Sequence, residues 1–261
     1  MIIDAHVHLP VANGCISLGQ KKECLLREMA MNQVDYCIVI SDSTVKSEIG
    51  TLDECAILFE KTDNIYVVGG ISPFYEFQTQ LSKLTVYLDR KMVIGIKLFT
   101  GHETFYLTDE KLKAVYELAI QYNVPVLFHS GWDNCRYADV SLVAEVAKSY
   151  PNLKLVCCHC FYPKIEKCMR LLQFQNVFFD ISSVADDLKK NSVISNWIKK
   201  IIAAAPTRIL FGSDYSCCNQ WEHIAFIRGL KLEKSIEDMI FWRNAKRIFQ
   251  LDSKTSQISQ W

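Results

Sequence analysis

The sequence predicts an α/β protein, a (β/α)8 TIM barrel in one domain spanning residues 1–261. Eight short apolar runs, rich in Val, Ile, Leu and Phe, alternate with amphipathic stretches, as expected for parallel strands that helices cover. The length of 261 residues also fits a barrel, which takes roughly 250. An open doubly wound sheet is the alternative, but it usually has a glycine-rich turn after its first strand, and residues 5–10 contain no glycine.

The apolar runs give the predicted strands in chain order. They are residues 1–6, 35–41, 65–71, 93–99, 124–129, 153–159, 176–181 and 208–213. Strands of this composition are buried on both faces of the sheet. Each run is therefore expected to end at the carboxyl-terminal mouth of the barrel, where barrel enzymes bind their substrates.

Capping signals place the helices between these strands. Thr51 and Glu54 form a capping box before a helix over 54–61, and Thr108 or Asp109 can cap the apolar stripe that begins at Leu112. Pro163 precedes a further helix over 164–173, because proline is favoured at the first helical position. Helices are also predicted over 141–149 and 236–249, whereas the mostly polar tail, 252–261, is typical of a disordered end.

Composition excludes several classes of function. The 29 basic and 29 acidic side chains give no net charge, which argues against nucleic-acid binding, since phosphate contacts need a basic excess. The apolar runs are strand-sized, well short of the roughly 18 residues that would cross a membrane. The eleven cysteines are odd in number and scattered, which indicates reduced thiols and a cytoplasmic protein.

One cysteine-rich run resembles a zinc motif. Cys157, Cys158, His159 and Cys160 are consecutive, but on a strand they point alternately to opposite faces. A structural zinc site needs paired ligands separated by a turn. The spacing therefore argues against a cysteine-based zinc site here.

Six polar side chains fall at or near predicted strand ends. His6 and His8 close the first strand, and residues two apart on a strand share one face, so both imidazoles can reach one metal ion. The other four follow later strands and are Lys97, His129, His159 and Asp214. Each alone is more often a hydrogen-bonded core residue or a helix cap. Together they place nitrogen and oxygen ligands for a divalent metal such as zinc at the catalytic end of the barrel.

These residues, in their order, resemble the amidohydrolase superfamily, and within it the amidohydrolase-2 branch of metal-dependent hydrolases and non-oxidative decarboxylases. The resemblance is carried by Asp4-Ala5-His6-Val7-His8-Leu9, Gly95-Ile96-Lys97-Leu98, Phe211-Gly212-Ser213-Asp214-Tyr215 and Asn244-Ala245-Lys246-Arg247-Ile248-Phe249. It covers residues 4–249. Members often have proline two residues after the last aspartate, where this chain has Ser216, so the substrate of a relative does not transfer directly.

The resemblance implies a metal held by His6, His8 and His129, with Asp214 as a further ligand. Zinc is the first expectation for this single divalent ion and manganese the second. Asp214 could take the proton of a metal-activated water. His159 could polarise the scissile carbonyl or protonate the leaving group, and both roles stay open.

Lys97 has three interpretations. It could bind a substrate carboxylate as a point charge, which we favour. It could be carbamylated and bridge two metals, as in some superfamily members, with His129 and His159 on the second ion. It could also form a salt bridge inside the barrel mouth. Weaker candidates for the pocket are His102, Trp132 and Arg136, the last as a carboxylate clamp.

The sequence thus predicts a metal-dependent hydrolase of a C–N or C–O bond in a small molecule. A metal-dependent decarboxylase of an aromatic or unsaturated acid uses the same ligands and is the second hypothesis. A barrel that binds a ligand without catalysis is the third, although buried unpaired imidazoles are costly without a role. No nucleic-acid or membrane partner is expected, and homo-oligomerisation is left open.

Overall fold

Eight parallel strands form the sheet of this computed structural model, which describes residues 1–11, 17–184 and 192–251. The strands pair in chain order, each with its successor. They are β1 (Ile3–Val7), β2 (Tyr36–Ile40), β3 (Ile65–Gly70), β4 (Ile96–Leu98), β5 (Pro125–His129), β6 (Lys154–Cys158), β7 (Val177–Asp180) and β8 (Ile209–Leu210). The predicted strands are confirmed, and the predicted barrel with them. The predicted tail over 252–261 lies outside the described residues.

The first and last strands close the sheet on itself. The backbone N–H of Ala5 donates to the carbonyl of Phe211 at 2.9 Å, and that of Asp214 donates to the carbonyl of His6 at 2.8 Å. His8 N–H donates in the same way to the Tyr215 carbonyl. Closure of the sheet leaves neither strand with an open edge, and it brings the chain after β8 against the end of β1.

Helices surround the strands. They are α1 (Leu18–Asn32), α2 (Leu52–Phe59), α3 (Phe77–Asp89), α4 (Lys113–Gln121), α5 (Val140–Ser149), α6 (Ser192–Ala204), α7 (Gln220–Gly229), α8 (Lys234–Asp238) and α9 (Asn244–Ile248). The capping box of Thr51 and Glu54 begins α2 as predicted, with both reciprocal bonds present. Asp109, one of the two predicted caps, accepts from Lys111 N–H at the 3₁₀ turn before α4. No described helix is long and apolar enough to span a bilayer.

One predicted helix is wrong in type. The segment predicted over 164–173 forms a 3₁₀ helix, Ile165–Leu171, rather than an α-helix. Its buried residues, Ile165, Cys168 and Leu171, recur every three positions, the repeat of a 3₁₀ helix and not the 3.6 of an α-helix. The proline signal gave the start of the segment but not its pitch.

The predicted final helix is confirmed, with one π-helical turn, Met239–Arg243, between α8 and α9. Within that turn the Ile240 carbonyl accepts a hydrogen bond from Phe211 N–H at 3.1 Å. Asn244, buried at the start of α9, donates from Nδ2 to the carbonyls of Pro206 and Ile209, each at 2.8 Å. These bonds fix the last helix against β8 and the turn that precedes it.

Apolar side chains pack on both faces of the strands. On β6, Leu155 and Cys157 lie in the larger cluster with the surrounding helices, while Val156 and Cys158 lie in a second cluster with Phe249 of the chain end. This alternation is the period of two expected for a strand. Polar groups gather at the carboxyl-terminal mouth of the barrel, where the strands end.

Candidate metal centre

The predicted histidine pair on β1 faces one carboxylate. The rings of His6 and His8 lie 5.3 Å apart between centroids. Nε2 of each lies 3.5 Å from the same atom, Oδ1 of Asp214. All three residues are buried, and their donor atoms lie within 4.8 Å of one another. The structure therefore brings together three of the four predicted ligands.

The other nitrogen of each ring, Nδ1, already makes a hydrogen bond. Nδ1 of His8 lies 3.0 Å from the carbonyl oxygen of Ile40, an atom that can only accept, so Nδ1 carries the proton. Nδ1 of His6 donates to Oδ2 of Asp180 at 2.5 Å. Both Nε2 atoms consequently present lone pairs to the carboxylate of Asp214, an arrangement of three acceptors without a hydrogen between them.

Electrostatics keep these groups in their metal-binding forms. Burial lowers the pKa of His6 well below its usual value, and the positive charge of Lys97 adds to that effect. The pKa of His8 is also lowered by burial, against the opposing charge of Asp214. Burial acts to raise the pKa of Asp214, but that pKa is lowered overall, and the charge of Lys97 and a hydrogen bond from Ser183 contribute to the lowering. Two neutral imidazoles and one carboxylate are ligands that suit a divalent ion such as zinc.

His159 and His129 extend this pair into a row of rings. The His159 ring lies 5.0 Å from that of His6 and 4.9 Å from that of His129. His129, the last residue of β5, is outside the group formed by His6, His8 and Asp214. Its role as a ligand stays a prediction. Burial lowers the pKa of both His129 and His159, so both are neutral imidazoles near pH 7.

Among the weaker candidates, only His102 lies against the row. Its ring is 4.4 Å from that of His129. Trp132 is exposed and packs edge-on against Tyr162 at 4.7 Å. The Arg136 guanidinium lies 4.7 Å from the centre of the Tyr137 ring and donates to that residue's hydroxyl. The contacts of Trp132 and Arg136 are thus with tyrosines rather than with the histidines.

Lys97 is buried in the middle of β4, with 1% of its surface exposed. Its ammonium donates to Sγ of Cys158 at 3.1 Å and lies 5.4 Å from the centre of the Phe99 ring. Over the residues that the structure describes, no carboxylate comes within salt-bridge distance of it. The predicted internal salt bridge is not formed there, and the lysine is a buried cation beside the histidines.

Three residues of the site were missed by the sequence reasoning. Asp180, at the end of β7, holds His6, and Ser182 lies two residues further on. Burial raises the pKa of Asp180, while hydrogen bonds from Ser182 and the charge of Lys97 oppose that rise. The signal was present, because Asp180 is a charged residue closing the apolar run 176–181, just as the histidines close theirs. Cys158 was also missed as a neighbour of Lys97.

A carboxylate behind the site joins the first and last strands. Asp4 accepts hydrogen bonds from the backbone N–H and hydroxyl of Ser213, at 2.9 and 2.6 Å, and from Nε2 of Gln220 at 2.8 Å. Burial raises the pKa of Asp4 to about 7 despite these donors. Because Ser213 precedes Asp214 and Asp4 precedes the histidine pair, these bonds hold both sets of metal-facing groups together.

The chain is similar to known proteins in sequence family and in fold. A family model described as amidohydrolase matches residues 3–251. No curated protein matched the chain in sequence. Among solved structures, an uncharacterised TIM-barrel protein from Bordetella bronchiseptica is similar, with a TM-score of 0.78, 17% identity, and coverage of 95% of this chain and 98% of that one.

Two further similar structures have named reactions. The 5-carboxyvanillate decarboxylase of Sphingomonas paucimobilis has a TM-score of 0.69 and 13% identity, covering 96% of this chain and 99% of that one. A probable 2-pyrone-4,6-dicarboxylic acid hydrolase of Acinetobacter baumannii has a TM-score of 0.71 and 14% identity, with the same coverage of 96% and 99%. At these identities the likeness shows the shared fold.

Proposed function

This chain belongs to the amidohydrolase family and is an enzyme of that type, and from that premise we propose that it hydrolyses a C–N or C–O bond of a small molecule with the help of a divalent metal. One observation carries the proposal. Three buried acceptors, Nε2 of His6, Nε2 of His8 and Oδ1 of Asp214, face one another, with each nitrogen 3.5 Å from the oxygen. Lone pairs so placed repel one another unless a cation lies among them, which makes the arrangement costly without one.

The proposed site holds one ion. His6, His8 and Asp214 would bind it, and His129 would be the further ligand that the family resemblance implies. A second group with donor atoms within 4.8 Å comprises His6, Cys158 and Asp180. It shares His6 with the first, and its His6–Asp180 contact of 2.5 Å is a hydrogen bond. We therefore favour one metal, zinc before manganese, over a binuclear site with carbamylated Lys97.

Three groups would carry out the proposed chemistry: a bound divalent ion, Asp214 and His159. A bound divalent ion supplies Lewis-acid polarisation and makes water acidic enough to attack near neutral pH. Asp214 keeps a lowered pKa and can take a proton from the attacking water. His159, whose ring lies between those of His6 and His129, is placed to move a second proton.

A carboxylate on the substrate is supported by Lys97. A buried ammonium without a carboxylate in salt-bridge range, over the described residues, can gain a charged hydrogen bond from an acidic substrate. The same feature favours the second candidate, a non-oxidative decarboxylase, whose substrate must carry that group. Net neutrality supports a small-molecule substrate over nucleic acid, and the scattered cysteines support a cytoplasmic location.

Metal content per chain is the first experiment. Protein purified without chelator should carry close to one zinc or manganese, and His8→Gln and Asp214→Asn should lose it. His102→Gln is the matched control, because His102 lies next to His129 but outside the three-acceptor group. A wild-type chain that binds no divalent ion, even after incubation with metal and bicarbonate, overturns the proposal.

Product analysis then separates the two reactions. A panel of amides, lactones and esters bearing a carboxylate is assayed for hydrolysis, and a panel of aromatic and unsaturated acids for CO2 or bicarbonate release. Hydrolysis that Asp214→Asn abolishes supports the first candidate. Bicarbonate or CO2 release without hydrolysis replaces it with the second. Metal binding without turnover across both panels would favour the third hypothesis, a ligand-binding barrel.

A further inference from the structure

We propose that Asp180 and Ser182 are positioning residues that hold neutral His159 as the Nδ1–H tautomer, so that its Nε2 begins the reaction as a proton acceptor. The inference rests on the proposed function, since it gives a role to a residue of that site. Asp180 ends β7 and Ser182 follows it, and 1% and 0% of their surfaces are exposed.

The number of protons available fixes the direction of the hydrogen bonds that Ser182 makes with Asp180 and His159. The Ser182 hydroxyl lies 3.0 Å from Oδ2 of Asp180, 2.9 Å from Nδ1 of His159 and 3.2 Å from Nδ1 of His6. Nδ1 of His6 carries the proton that it donates to Asp180, so it cannot accept from Ser182. Both oxygens of Asp180 already act as acceptors, Oδ2 from Nδ1 of His6 and Oδ1 from the backbone N–H of Ser182, so the single hydroxyl proton of Ser182 goes to Asp180. The serine oxygen can then only accept from His159. A second acceptor, the backbone carbonyl of Ser182, lies 3.3 Å from the same Nδ1.

The same carboxylate orients a metal ligand. Oδ2 of Asp180 accepts from Nδ1 of His6 at 2.5 Å, while Oδ1 accepts from the backbone N–H of Ser182 at 2.8 Å. Asp180 therefore fixes His6 directly and His159 through one hydroxyl. A shared partner of this kind sets which nitrogen of each ring is free to act.

The tautomer decides between the two open roles of His159. With the proton on Nδ1, Nε2 is the ring nitrogen that carries a lone pair, and it cannot donate a hydrogen bond to a carbonyl oxygen. His159 must first accept a proton and can then deliver it to a leaving group. The resulting imidazolium stands two hydrogen bonds from the Asp180 carboxylate, which stabilises the positive charge.

The test reads the tautomer directly. Histidine is labelled with 15N, and two-bond 1H–15N couplings are recorded for the zinc-loaded chain and for the metal-free chain, with the His159 signals identified by their loss in His159→Asn. We expect His159 as the Nδ1–H tautomer in the wild type. In Ser182→Ala, part of it should convert to Nε2–H, because only the longer contact to the carbonyl remains, and Ser182→Thr should restore the wild-type pattern.

Two controls separate positioning from packing. Ser72→Ala removes another buried serine hydroxyl at the barrel mouth, one that donates to Glu103, and should leave the His159 signals unchanged. Asp180→Asn should weaken zinc binding by about 10–100-fold, whereas Ser182→Ala should not. Once a substrate is known, Ser182→Ala should lower kcat more than it changes KM.

Three results would overturn the inference: an Nε2–H tautomer of His159 in the wild type, identical His159 signals in Ser182→Ala, or unchanged zinc affinity in Asp180→Asn together with an unchanged tautomer. Failure of the proposed function looks different. A chain that binds no zinc contradicts the metal centre, yet the metal-free spectrum still reports whether Ser182 sets the tautomer of His159.

Discussion

Gly212 leaves room for the carboxylate of Asp180. A Cβ atom at position 212 would lie 2.7 Å from Oδ1 of Asp180, 2.8 Å from Cβ of His6 and 3.1 Å from Cβ of Ser182. Side chains of these three residues thus converge on a point where position 212 has none. The glycine lets His6, a proposed metal ligand, pack against Asp180 and Ser182.

Gly212→Ala should therefore disturb the centre through steric overlap. We expect a loss of about 1–3 kcal/mol in the free energy of unfolding, as for overpacked cores, together with weaker zinc binding. Urea unfolding and a metal titration measure the two effects. Gly229→Ala in α7 is the control, since a Cβ there meets nothing within 4 Å. Equal behaviour of the two variants would contradict the packing argument.

Lys97→Met should separate substrate binding from metal binding. Loss of one charged hydrogen bond, roughly 1.5–3 kcal/mol, should raise KM for a carboxylate substrate about 10–100-fold. Metal content should stay at the wild-type value. Lys154→Met is the control for loss of a lysine, because Lys154 begins β6 and so lies at the end of the barrel away from the histidines. A metal content that falls by half would instead support carbamylated Lys97 and two ions.

The ion pair between Asp139 and Lys167, 2.7 Å apart, should make stability depend on acidity. Burial acts to raise the pKa of Asp139, but the hydrogen bond from Lys167 outweighs it and lowers that pKa. A carboxyl with a lowered folded pKa stabilises the native state above its unfolded pKa, and loses that contribution as pH falls through the folded one. The free energy of unfolding of the wild type should exceed that of Lys167→Met by less than ~1 kcal/mol at pH 7. In urea titrations the difference should shrink as the pH is lowered through the folded pKa of Asp139, and a constant difference would contradict the assignment.

Asn244→Ala should destabilise the chain without changing its metal content. The side-chain amide satisfies two backbone carbonyls in the turn before and the start of β8. Leaving them buried without a donor should cost about 1–3 kcal/mol in the free energy of unfolding. Lys246→Ala, exposed on the same helix, should have little effect. Loss of metal in folded Asn244→Ala would show that the helix supports the centre itself.

Strand periodicity was enough to predict the barrel and the histidine pair. His6 and His8 share a face because a strand repeats every two residues, and the structure has them facing Asp214 together. The order of the strands then placed His159 and Lys97 at the same mouth. These features depend on local pattern and on the rule that parallel strands end together.

Other parts needed the three-dimensional structure. The contact of His102 with His129 depends on the path of the chain after β4, which no periodic pattern describes. The pairing of Asp180 with His6 joins residues 174 positions apart, which no local pattern connects. The 3₁₀ helix Ile165–Leu171 was missed because a proline signal indicates where a helix begins, not its pitch.

The closure of the barrel also sets when the centre can exist during synthesis. Asp4 and Ser213, which join β1 to the chain after β8, stand 209 positions apart. A growing chain carries its histidine pair from the start, but Asp214 emerges only after all eight strands have been made. Pairing across such a separation is slow to form. If these three groups hold a metal as proposed, they can do so together only after the eighth strand has been made, and a chain that has not yet reached Asp214 lacks the carboxylate of the site.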